Sequence, residues 1–222
     1  MPKTGKITIC NSADELRQIR PVWDAIISAR EYTVFQNFEL NLLAAQMFAE
    51  REQPQIICAE MSNGLAIVPA VQRHADQTVR LLGEELFDYR CFLHCGDKEA
   101  LRLAMGHLAG MGRSLEIVAV RETDRHTSMD LPMTPFTVAP GVCCGPVTAE
   151  AFAAEHLRLA RNLRRLSRLE FKLHRYDGTA SPLLHLIYER KAAQNPSSLF
   201  HDAMRVEFIV QAAALLPRIF EV

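Results

Sequence analysis

Hydrophobic and polar positions change rhythm several times along the chain, and each change marks an element. Residues 6–10, KITIC, alternate with period two and predict a short strand. Ser12 with Glu15 three residues later is a capping-box arrangement. It opens a helix whose Leu16, Ile19, Trp23, Ile26 and Ile27 make one apolar face. Pro21 falls inside that pattern, so the helix is expected either to kink or to end early. A second helix is predicted from near Asn37 through Leu40, Leu43, Ala44 and Met47.

The period then shortens. QIICAEM and LAIVPAVQR read as strands joined by Ser62-Asn63-Gly64, a hairpin signal. TVRLLG reads as another strand, followed by the acidic and aromatic stretch EELFDYRCFL. Residues 97–111 predict a helix with Leu101, Ala104, Met105 and Leu108 as its core stripe, and LEIVAV predicts a buried strand. A polar stretch from Arg121 to Met129 and the Pro/Gly-punctuated PFTVAPGVCCGPV close this part. From Thr148 the order restarts with a basic helix (149–169), the strand FKLHRY, helices at 182–194 and 201–216, and the strand RIFEV. The chain therefore ends on an apolar strand with no later strand to pair with. Natural proteins cover such an edge, so a truncated product or a piece of something longer is expected.

Composition narrows the class. With 222 residues and 49% hydrophobic positions, the chain can bury one large core or two small ones. No apolar run approaches the roughly 20 residues that span a bilayer. The opening MPKTGKITIC lacks the apolar core of a secretory signal, so a cytoplasmic protein is expected. Cys10, Cys58, Cys91 and Cys95 sit in apolar runs, as small buried thiols do, and Cys143 and Cys144 are adjacent. Cys91, His94 and Cys95 lack the spacing of a usual zinc site, so no metal is expected.

Charge is uneven. The chain carries a net −1, yet residues 151–176 hold seven bases and two acids, leaving −6 for the remainder. At about 100° per residue, Arg158, Arg161, Arg164, Arg165 and Arg168 share one face of a helix, opposite Leu159, Leu163 and Leu166. Arginine suits phosphate or carboxylate better than lysine does. Three readings stay open: a solvated face balanced by acids such as Glu84, Glu85 and Asp88, recognition of an anionic substrate, or nucleic-acid binding. The last is disfavoured, because the chain is not basic overall and no nucleic-acid motif accompanies the helix.

Motifs of chemistry are sparse. There is no GxxxxGK[ST] loop, no GxSxG elbow and no HExxH helix. HLAGMG (107–112) sits where glycines end helices, and no run of helix-opening N–H groups suited to a CoA pyrophosphate is evident. The stretch that stands out is GEELFDYRCF. Asp88 there could take a proton from an amine or hydroxyl, and Tyr89 could donate one to a leaving group. Equally, the two residues could simply fold a loop.

Three segments carry a resemblance: WDAIISAREYTVFQNFELNLLAAQMF, then LLGEELFDYRCFL, then LRLARNLRRLSRLE with LIYERKAAQNPSSLFHDAMRVEFI. Their echoes are Trp23, Val34-Phe35-Gln36, Gly83, Asp88-Tyr89, Asn162-Leu163-Arg164-Arg165 and Ser198-Leu199-Phe200. In this order they resemble the cellulose-biosynthesis acetyltransferase (CelD-like) family of the GNAT superfamily. The layout is similar to that of the Fem-type aminoacyltransferases. The resemblance implies an α/β (α+β) fold: a GNAT-like, largely antiparallel mixed sheet flanked by helices over 1–148. Over 149–222 it implies the basic helix and the first elements of an incomplete second GNAT-like domain. It further implies acyl transfer from acetyl-CoA or another acyl-CoA to a sugar or cell-envelope precursor, across a cleft lined by the arginine face. Asp88 and Tyr89 would be catalytic, and Phe35, Gln36, Arg161, Arg164, Arg165 and Arg168 would bind substrate. Family members are longer, so the CoA-binding turn and the rest of a C-terminal domain are missing here and this chain is expected to be inactive alone. The alternative is a non-catalytic module that binds an anionic glycan or lipid-linked phosphate.

Overall fold

The computed structural model describes residues 5–83, 85–120 and 182–216, with positions 161, 164 and 165. These fall in two compact units, and 161, 164 and 165 belong to the smaller one. The larger unit is a mixed α/β arrangement of antiparallel sheets and helices.

It opens with β1 (Lys6–Cys10), and Ser12 then caps α1 (Ala13–Gln18) by accepting from the Glu15 N–H. The Glu15 carboxylate closes the box one residue early, accepting from Asn11 N–H at 2.7 Å. Pro21 resolves the expected kink into a break: α1 stops at Gln18 and α2 (Arg20–Ala29) starts with the proline in its first turn, where no N–H is needed. Asn37 caps α3 (Phe38–Met47). The strands β2 (Glu52–Pro54), β3 (Ile56–Met61), β4 (Gly64–Val68), β5 (Ala70–Arg73), β6 (Val79–Leu81) and β7 (Leu93–Gly96) follow, then α4 (Glu99–Gly110).

One sheet runs β1-β3-β4-β7 and a second β2-β5-β6, every pairing antiparallel. Ser62-Asn63 makes the β3–β4 hairpin turn, with Met61 opposite Gly64. Alternation then fixes two cores. Ile56, Cys58 and Ile67 point to one face of the first sheet with Trp23, Phe38 and Phe48. Ile57, Ala59, Ala66 and Val68 point to the other, against Leu101, Ala104, Met105 and Leu108 of α4. That stripe on α4 is the one the sequence predicts.

α5 (Pro182–Gln194) and α6 (Ala203–Leu215) belong to this same unit. They were expected among the first elements of a second domain, and the expected boundary at 148/149 lies outside the described residues. α6 packs on α3, setting Phe208 against Phe48 (ring centroids 5.5 Å) and Phe87 (6.1 Å). At its N-terminus Asp202 accepts both Arg51 Nη groups, Nη2 at 3.0 Å, and caps the helix through Met204 N–H.

One strand is corrected. LEIVAV is not a buried strand: residues 115–120 make only isolated bridges, Leu115 with Val79 and Val120 with Arg90, and Leu115 is 37% exposed. Ala119 at φ 62° interrupts the extended run that five apolar residues out of six suggest. FKLHRY, RIFEV and most of the basic helix lie outside the described residues. No helix among those described is long and apolar enough to cross a membrane.

Candidate functional site

Local chemistry builds the site around one short turn. Residues 34–36 form a single 3-10 turn behind Thr33, whose N–H (3.0 Å) and hydroxyl (2.6 Å) both donate to Gln36 Oε1. Gln36 is buried and its Nε2 donates to the Tyr89 carbonyl at 2.9 Å. Trp23, buried in α2, donates its indole N–H to the Gln36 carbonyl at 2.9 Å. Asn41 of α3 donates to the Phe35 carbonyl at 2.9 Å. The turn is thus pinned from α2, from α3 and from the 85–92 loop, and its buried polar groups are satisfied where the fold needs them.

The second loop is shaped by Gly83, at φ 104°. A Cβ there would overlap the Phe87 ring, so a glycine is needed both for the backbone angle and for the close approach. Phe87 then packs on Phe35 (5.5 Å between centroids), and Tyr89 meets Phe35 edge-on at 6.0 Å. Asp88 is exposed, Tyr89 half-buried and Arg90 buried. Asp88 forms no ion pair among the described residues, and Glu85 pairs instead with Arg205 at 3.3 Å. Three of the residues expected at a site, Phe35, Gln36 and Tyr89, therefore sit in one cluster, and Asp88 is exposed next to Tyr89 on the 85–92 loop. The Gln36 amide is spent inside the cluster, which suits fixing the turn more than touching a ligand. Asp88 and Tyr89 bring a carboxylate and a phenol to the loop beside the turn.

Behind the turn lies a partly open pocket of about 10 Å³, room for one water-sized group. Trp23, Phe35, Phe87, Gln36, Asn41 and Arg90 contribute to its wall. Arg90 was not singled out from the sequence. The signal that could have found it is a lone arginine leading directly into the apolar run CFL. Burial pushes its pKa down, with Glu52 opposing that shift. Nearby, the Tyr32 hydroxyl donates to the His94 carbonyl and accepts from the His94 N–H, both at 3.1 Å. Burial raises the Tyr32 pKa to about 12 and those of the Cys10 and Cys58 thiols to about 11 and 12, leaving all three neutral.

Of the basic helix, Arg161, Arg164 and Arg165 are described; they are helical and exposed, and the i, i+3, i+4 spacing puts them on one face. Arg168 lies outside the described residues. Neither this pocket nor the start of α4 suits an acyl-CoA. The pocket is too small, and at the start of α4 Asp97 and Glu99 place carboxylates where a pyrophosphate would need bare N–H groups, with Glu99 N–H already donating to Asp97 Oδ1 at 3.1 Å. No family model, curated protein or solved structure matches the chain.

Proposed function

We propose that the larger unit is the acceptor-binding portion of a GNAT-type acyltransferase acting on a sugar or cell-envelope precursor, inactive by itself, with the acyl-CoA held outside the described residues. The observation that carries this reading is convergence. Of the residues that carry the resemblance, Trp23, Phe35, Gln36, Gly83 and Tyr89 are spread over 67 positions of sequence, yet they form one bonded and ring-packed cluster, with Asp88 exposed beside Tyr89. The antiparallel sheet with helices on both faces agrees with it. Phe35 offers an apolar ring to an acceptor, Asp88 takes the proton from its amine or hydroxyl, and Tyr89 supplies one to the departing group.

A thermal-shift screen of nucleotide sugars, acetyl-CoA and free CoA tests this. A nucleotide sugar is expected to raise Tm by preferential binding to the folded chain. Asp88→Asn and Tyr89→Phe should erase that rise while leaving the ligand-free Tm in place. A sugar panel with no effect, or a rise that survives both substitutions, contradicts the proposal.

The three exposed arginines favour a second reading, a binding module for an anionic glycan or lipid-linked phosphate. Joint Arg161→Glu, Arg164→Glu and Arg165→Glu should abolish retention on a uronate-bearing glycan. Stability should change by no more than about 0.5 kcal/mol. Unfolding by that triple change would instead identify a structural charge network.

A further inference from the structure

Arg90 is 5% exposed, and its Nε is buried with no hydrogen-bond partner. Its backbone is accounted for, since the N–H donates to the Ala119 carbonyl at 2.9 Å. Its guanidinium has no carboxylate within ion-pair distance among the described residues. Glu52, Glu85 and Glu116 act on it only through longer-range attraction, and Arg80 repels it. Arg80 is itself held by Glu116. A buried cation left this way is costly unless something pairs with it. An arginine head offers donors alone, so whatever completes the site must present an acceptor. Arg90 also lines the pocket behind the 34–36 turn, together with the aromatic walls of Trp23, Phe35 and Phe87.

From this geometry we infer that the Arg90 pocket is a binding site for the carboxylate of a small organic ligand. The space of about 10 Å³ admits the leading oxygen of a planar carboxylate and keeps the rest of the ligand at the mouth. A phosphate dianion would meet the field of Glu52, Glu85 and Glu116 more strongly than a carboxylate monoanion does. The guanidinium fork matches a planar carboxylate in charge and in direction. This site stands whether or not the chain takes part in acyl transfer.

The chain has a single tryptophan, and it lies in the pocket wall, so Trp23 emission reports occupancy directly. The full chain is titrated with acetate, with inorganic phosphate, and with chloride at matched ionic strength. A saturable change in Trp23 emission is expected with acetate, a weaker one with phosphate, and none with chloride. Arg90→Met should weaken the acetate response about tenfold or more, the loss of a charged hydrogen bond. Arg90→Lys, which keeps the charge without the fork, should fall between the two. A response to acetate no greater than to chloride overturns the site, as does an Arg90→Met chain that responds like the parent. Phosphate binding as tightly as acetate overturns the carboxylate assignment.

Discussion

The two faces of the β1-β3-β4-β7 sheet are built from alternate residues of the same strands and differ sharply in what covers them. The α4 face is aliphatic packing with one aromatic, Phe92, in its buried core. The opposite face, under α2, α3 and α6, gathers Trp23, Phe38, Phe48, Phe87 and Phe208, and buried beside it are the amides of Gln36 in the turn and Asn41 in α3. Side chains are placed by the period-two pleat, but the polar groups are not distributed by it. A face that only has to exclude water needs no buried amides. A face that must hold two loops in register uses them, because each buried amide is satisfied by one geometry and leaves the alternatives unpaired. The sheet thus has a structural side and a side organised around a turn and a pocket.

The largest effects should separate the two faces. Trp23→Ala removes a fully buried ring and the donor to Gln36, and is expected to cost about 3–5 kcal/mol in denaturant unfolding. Leu101→Ala, equally buried on the α4 face, should cost about 2–5 kcal/mol. The sharper distinction is in binding. Under conditions where each variant remains folded, Leu101→Ala should keep the ligand-induced rise in Tm and Trp23→Ala should lose it. Equal loss in both would mean that the faces do not divide function from packing.

A smaller effect tests how α6 is fastened to the turn-bearing face. Arg51, foremost, holds the Asp202 carboxyl below its usual 3.8, with the Met204 N–H and Arg205 adding to the shift. A carboxylate whose folded-state pKa is depressed stabilises the fold above its unfolded value and loses that contribution as pH falls through the folded one. Asp202→Asn keeps an oxygen for the helix cap and removes the charge. It should cost about 1 kcal/mol at neutral pH, and the difference from the parent should vanish in urea melts taken well below pH 3.8. A gap that persists in acid would assign the loss to the cap rather than to the ion pair.

What was readable from the sequence follows the range of the forces involved. Ser12 and Asn37 announce their helices because a cap is satisfied within three residues, and Ser62-Asn63 announces its hairpin for the same reason. The α4 stripe is readable because a helix repeats locally. LEIVAV misleads because its five apolar residues say nothing about Ala119 turning left-handed. The site itself is assembled by bonds across 13 and 53 residues, from Trp23 to Gln36 and from Gln36 to Tyr89. No periodicity encodes those, and only the order of segments hinted at them. Arg90 escaped because an arginine in a loop reads as solvated, and its burial depends on how the 85–92 segment folds back beneath Phe35 and Gln36.

On the function proposed here, ligands meet the chain at the turn-bearing face. Backbone amide shifts followed by NMR, as the ligand from the thermal screen is added, address that face by face. The largest perturbations are predicted at residues 32–36 and 85–92 and at the Trp23 indole, with α4 silent. Perturbations centred on residues 99–110, with 32–36 and 85–92 unmoved, would contradict it.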